Sequence, residues 1–228
     1  MPEYAFDDLK NAMKEVLNES GFSLKKNPIV QSYESIINKV EPTNIADFLE
    51  NNQFYNRAIL VEEIVEGVGG AVDTLIRIHN QYDDMNQIPV EERKPIKIYI
   101  NSPGGYVSET LTAIDAIKLS KTPVHTINIG KAYSGGFFIF ITGHKRFSYP
   151  NASFLFHEGN AAMEGDAHKF HNYADFYKKE LNQLKQITLE HTKFGADYYN
   201  EHSKDDLWLQ AHEALELGIV DEIATELV

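Results

Sequence analysis

With 228 residues, 43% of them hydrophobic and 24% charged, the chain has enough apolar surface for a substantial core and too much for an intrinsically disordered segment. A formal net charge of −13 with no run of Lys and Arg argues against a nucleic-acid partner, and the absence of cysteine excludes disulfides, thiolate nucleophiles and Cys-ligated metal. The longest apolar stretches are about ten residues against the roughly 20 needed to cross a bilayer, and no basic-then-apolar signal opens the chain, so it reads as a soluble, cytosolic protein.

In chain order, residues 1–52 place Phe6, Leu9, Met13 and Leu17 at helical spacing and then loosen around Gly21, Pro28 and Pro42. This is an N-terminal, mainly helical extension, read as a packing or oligomerisation arm. Residues 53–228 form the main unit. A short buried strand over 58–61 precedes a helix over 68–82 with Val72, Leu75, Ile76 and His79 on one face. The pattern repeats as a strand over 96–100, a helix over 108–119, a strand over 124–129 and an apolar helix over 134–142. Such alternation implies βαβ units and a largely parallel sheet, an α/β fold whose reactive loops lie at the carboxyl ends of the strands. Farther on, Phe170, Tyr173, Phe176 or Tyr177, Leu181, Leu184 and Ile187 set out one long helix over 166–191, either core or subunit-joining. His168 and His171 within it have no third ligand at metal spacing, and neither a metal nor a cofactor is expected.

The chemistry-bearing residues sit at the strand ends. Ser134 follows a strand and opens a helix, where a tight turn exposes its hydroxyl and free N–H groups favour an anion. Gly135 and Gly136 allow close backbone approach, and the Gly135 N–H can donate to a tetrahedral oxyanion. Asn101-Ser102-Pro103-Gly104-Gly105 offers a second set of unobstructed N–H groups. His157, at the end of the apolar run Phe154-Leu155-Phe156, is positioned as a general base, and Asp206 as the carboxylate that fixes its tautomer. Each alone has a bland reading: a helix cap, a hydrogen-bonded structural histidine and a solvated acid. His202 competes with Asp206 for the third role.

Several stretches taken together resemble successive motifs of the Clp protease proteolytic subunits (ClpP). They are Tyr99-Ile100-Asn101-Ser102-Pro103-Gly104-Gly105, Gly130-Lys131-Ala132-Tyr133-Ser134, residues 150–157, His191-Thr192, and Asp206-Leu207-Trp208 through Glu213-Ala214 to Gly218-Ile219-Val220-Asp221. The resemblance runs from about residue 57 to the end of the chain, with the motifs in the family's order. It implies a crotonase-like fold of stacked ββα units and a Ser134–His157–Asp206 triad with oxyanion donors Gly105 and Gly135. It also implies endopeptidase action on peptide or unfolded protein substrates inside a homo-oligomer of two heptameric rings, a tetradecamer, with the 166–191 helix as the handle between rings. This sequence departs from the pattern at Tyr133, at Gly135-Gly136 and at Glu158-Gly159, where a Gln-Pro pair usually follows the histidine. An extension of about 50 residues replaces the N-terminal axial-loop pattern, which leaves docking to an AAA+ ATPase unfoldase open.

Three other readings compete. An α/β-hydrolase fails on chain order, because its acid precedes its histidine. An acyl-CoA enzyme on the related crotonase fold would use the same glycine donors without needing Ser134 and His157 together. A catalytically silent ClpP-like ring subunit, its pocket occluded by Tyr133 or the N-terminal arm, keeps the triad without turnover.

Overall fold

The computed structural model describes residues 56–160 and 166–228; the extension read over residues 1–52 lies outside them. The chain alternates as expected through β1 (Ala58–Ile64), α1 (Val68–Met85), β2 (Ile96–Gly105), α2 (Val107–Leu119), β3 (Val124–Tyr133) and α3 (Gly135–Ile141), and then adds β4 (Lys145–Ser148) and β5 (Ser153–Phe156) with no helix between them. It then continues through α4 (Ala167–His191), α5 (Ala196–His202), β6 (Leu207–Gln210), α6 (Ala211–Glu216) and β7 (Glu222–Ile223). The seven strands form one sheet ordered β1-β2-β3-β4-β7, with β5 pairing β3 and β6 pairing β5. All pairs are parallel except β5–β6, which is antiparallel.

The length of β3 makes this branching possible. Its first half, His125 to Asn128, pairs with β4, while Lys131 to Tyr133 pair with β5. β2 is also longer than the sequence suggests, because Asn101 to Gly105 stay paired with β1 and β3 through register shifts after Val61 and Ile100 rather than leaving the sheet as a free turn. Gly105, at φ +153°, lies so close to β1 that a methyl on its Cα would stand 2.0 Å from the Ile64 carbonyl oxygen. Only glycine fits there.

Periodicity places the helices. α1 buries Val72, Leu75, Ile76, His79 and Asp83, the i, i+3, i+4 stripe that faces the sheet. α3 is different: all seven of its residues are buried, as a helix apolar all round must be. Phe137, Phe140, Phe154, Phe156, Phe194 and Tyr199 meet around it, with ring centroids 5.0 to 5.4 Å apart at the Phe140–Phe154, Phe137–Phe156, Phe156–Phe194 and Phe156–Tyr199 contacts. Along α4 the character splits: Leu184 and Ile187 are buried, whereas Phe170, Tyr173 and Phe176 near its start stand exposed. Among the described residues no helix is long and apolar enough to cross a membrane.

Charged groups lie inside as well, among them Asp83 and Arg93. Asp83 is fully buried and accepts from Arg57 Nη1 at 2.9 Å, Arg57 Nη2 at 2.5 Å and Thr122 Oγ1 at 2.8 Å, so its desolvation is offset by three bonds that tie α1 to the start of β1 and to the α2–β3 connection. Asp83→Ala leaves the Arg57 guanidinium without its partner. The expected cost is about 3–5 kcal/mol, read as a lower midpoint in denaturant unfolding.

Candidate active site

β3 ends at Tyr133, and the next residue adopts φ 52°, ψ −119°, a conformation that costs a non-glycine residue about 1–3 kcal/mol. Ser134 is held there from three directions. Its N–H donates to the Leu155 carbonyl of β5 at 3.0 Å, and its carbonyl accepts from Phe137 and Phe138 N–H at 3.0 and 3.3 Å, starting α3. The sharp turn lifts the hydroxyl off the strand line, and Ser134 Oγ lies 2.8 Å from His157 Nε2.

His157 follows β5 directly. Its approach is fixed by the buried rings of Phe154 and Phe156, and on its other side the Glu158 N–H donates to the Ser203 carbonyl at 2.9 Å. Tyr199, packed under Phe156, has its hydroxyl pushed above the usual tyrosine range by burial and then by the Glu158 charge, so it stays a neutral wall. Asp206 comes from the residue before β6, and its Oδ1 is 3.4 Å from His157 Nδ1. The imidazole is mostly covered, with 19% of the side chain exposed, whereas the Asp206 side chain is 56% exposed. The Asp206 carboxylate therefore acts across a better-screened gap than a fully buried acid would.

His202, the competing third member, packs instead on the Tyr198 ring with centroids 4.3 Å apart. Tyr133, considered as a plug, is engaged elsewhere: its hydroxyl is 2.7 Å from Ser153 Oγ and its ring meets Trp208 edge-on at 5.1 Å.

The Pro103-Gly104-Gly105 segment closes over Ser134 from β2. A methyl on Gly104 would lie 2.7 Å from Ser134 Cβ and 3.1 Å from the Gly135 nitrogen, and one on Gly135 would lie 3.5 Å from the Gly105 nitrogen. The glycine turn named from the sequence and the Gly135 backbone thus lie close together beside Ser134. Gly135 opens α3, so its N–H has no carbonyl one turn behind it. Ser102 escaped the sequence reading. Fully buried, its Oγ accepts from Gly104 N–H at 3.0 Å and abuts Gly136, bracing the glycine turn against α3. A serine two residues before a paired glycine is the signal that points to it. Among the described residues there is no group of three or more His, Asp or Glu that could hold a metal ion.

A family model described as Clp protease matches residues 85–227, a span that contains Gly105, Ser134, Gly135, His157 and Asp206. The ATP-dependent Clp protease proteolytic subunit 1 of Streptomyces coelicolor is 31% identical over 174 residues, covering 75% of this chain and 78% of the relative.

The strain at Ser134 is measurable. Glycine adopts this φ without a Cβ penalty, so Ser134→Gly should be about 1 kcal/mol more stable than Ser134→Ala, which keeps the Cβ and loses the same hydroxyl. Parallel thermal unfolding of the two variants reads the difference as a melting temperature higher in the glycine variant.

Proposed function

Because the chain belongs to the Clp protease family, we propose that it is a serine endopeptidase in which Ser134 is the nucleophile, His157 the general base and acid, Asp206 the orienting carboxylate, and Gly105 and Gly135 the oxyanion donors. The observation that carries this reading is the 2.8 Å separation of Ser134 Oγ and His157 Nε2, with Asp206 on the opposite ring nitrogen. A neutral imidazole whose Nδ1–H faces a carboxylate presents Nε2 as the acceptor, the tautomer that proton removal from serine requires.

Ser134 Oγ adds to the scissile carbonyl as its proton passes to His157 Nε2, and the carbonyl oxygen becomes an oxyanion facing the Gly105 and Gly135 N–H groups. Collapse of the adduct breaks the C–N bond, and His157 returns the proton to the departing amine, leaving an acyl ester on Ser134. Water then attacks the ester, losing a proton to His157, and the second collapse frees the acid and restores the Ser134 hydroxyl.

Assembly is part of the same proposal. Phe170 and Phe176, about half exposed on a 25-residue helix, support α4 as the handle that joins two heptameric rings. The protein works in the cytoplasm on peptide or unfolded protein substrates that reach an enclosed chamber. The name of the Streptomyces relative includes ATP dependence; no nucleotide-binding motif is present in this sequence, so such dependence here would be conferred by a separate unfoldase.

Labelling of the purified protein with a fluorophosphonate probe tests the reading: the wild type should label and Ser134→Ala should not. Absence of labelling in correctly assembled wild type would favour a silent ring subunit, and labelling that survives in Ser134→Ala would remove Ser134 as nucleophile. Asp206→Asn should lower peptide turnover by up to about 10⁴-fold.

A further inference from the structure

We infer that Trp208 and Tyr133 form an aromatic subsite that receives a large apolar side chain of the substrate on the leaving-amine side of the scissile bond. This rests on the peptidase reading above and names its substrate preference.

Side chains alternate along β5 and β6. Phe154, Phe156 and Leu209 point into the core, and each is buried. Ser153, Leu155 and His157 therefore point to the opposite face, as do Gln210, Trp208 and Asp206 on the antiparallel neighbour. Register places Tyr133 beside Leu155 and Leu155 beside Trp208, so these three form one row across β3, β5 and β6. The next row on the same face is His157 and Asp206, about 7 Å farther along the strands. The row of apolar groups, in which Leu155 is itself buried, and the acid–base pair are consecutive on one face of the sheet.

Nothing in the described core requires an aromatic at Trp208, which is 56% exposed. Its ring is nevertheless held: it meets Tyr133 edge-on at 5.1 Å, and the Tyr133 hydroxyl is fixed 2.7 Å from Ser153 Oγ. Two aromatic rings held in place before a ligand arrives lose little freedom on binding, which is how a specificity surface gains affinity.

The chemistry decides which substrate residue meets it. His157 hands its proton to the departing nitrogen, so the residue carrying that nitrogen is the one seated against His157. Its side chain meets the row beside His157 on the same face. Asp206 is exposed in the next row beside His157, and Asp205 just before it is exposed as well, which disfavours an acidic residue and leaves large apolar or aromatic side chains as the class that fits.

Internally quenched peptides that are identical except for Phe, Leu, Ala or Asp immediately after the scissile bond test this on the full-length assembled protein. Wild type should prefer Phe over Ala by about tenfold in kcat/KM. In Trp208→Ala that ratio should fall towards one, and Trp208→Phe should restore most of it. A ratio cancels any general loss of active enzyme. Retention of the preference in Trp208→Ala, or its transfer to peptides varied before the scissile bond, would overturn the inference. Fluorophosphonate labelling of the same wild-type preparation separates the two readings: a labelled enzyme without the Phe preference defeats the subsite alone, whereas an unlabelled one defeats the peptidase reading and the subsite with it.

Discussion

The site depends on one backbone constraint, the positive φ of Ser134 between β3 and α3. A regular strand-to-helix transition would leave the side chain along the strand direction. The strained turn instead projects the hydroxyl towards β5 and brings Gly135 N–H beside the glycine turn of β2. The cost of about 1–3 kcal/mol is outweighed by the burial of α3, because Phe137, Phe138, Ile139, Phe140 and Ile141 all lie in the core and each contributes roughly 1.5–3 kcal/mol. α3 enters the core directly after the sharp turn at Ser134. Core packing and the presentation of the Ser134 hydroxyl are therefore coupled.

The same core sets the histidine. Phe156 touches Phe137 on α3, Phe194 before α5 and Tyr199 on α5, so the residue before His157 is gripped by the helix that starts just after Ser134. The Ser134–His157 distance is thereby tied to ring contacts buried away from solvent. Asp206 is held differently. It stands at the exposed edge where β6 begins, joined to His157 by register and a 3.4 Å approach rather than by packing. The proposed triad has a rigid half and a more accessible half.

Much of this is legible in the residues. The alternation of strand and helix from β1 to α3 comes from apolar periodicity, and the elements appear within a few residues of where that periodicity puts them. Ser134, His157 and Asp206 stand out because each lies at the end of an apolar run or the start of one, and these are the side chains brought together. The hidden parts have a common cause. β4, β6 and β7 are two to four residues long and carry too little pattern to declare themselves, and the continuation of β2 through Gly105 depends on bulges set by tertiary pairing. The stretch Leu207-Trp208-Leu209-Gln210 is too short for its alternation to show in sequence that Trp208 and Leu209 face opposite ways. The outer row of Tyr133, Leu155 and Trp208 is invisible for that reason.

Topology also explains why the three groups take the order Ser, His, Asp along the chain. Ser134 leaves the end of β3, His157 the end of β5 and Asp206 the start of β6, and these strands are successive neighbours. The contacts therefore run across the sheet, perpendicular to the strands, each spanning one strand spacing of about 4.8 Å. An antiparallel last pair is required for this, since the acid must lie at the same edge as the histidine but at the beginning of its strand rather than the end. The segment between His157 and Asp206, which includes α4 and α5, is consequently free to leave the sheet and return, and a 25-residue helix can be carried there without altering the register that sets the site. The proposed subunit-joining helix and the proposed catalytic contacts are therefore built into the same connection, with the β5–β6 pairing as the joint between them.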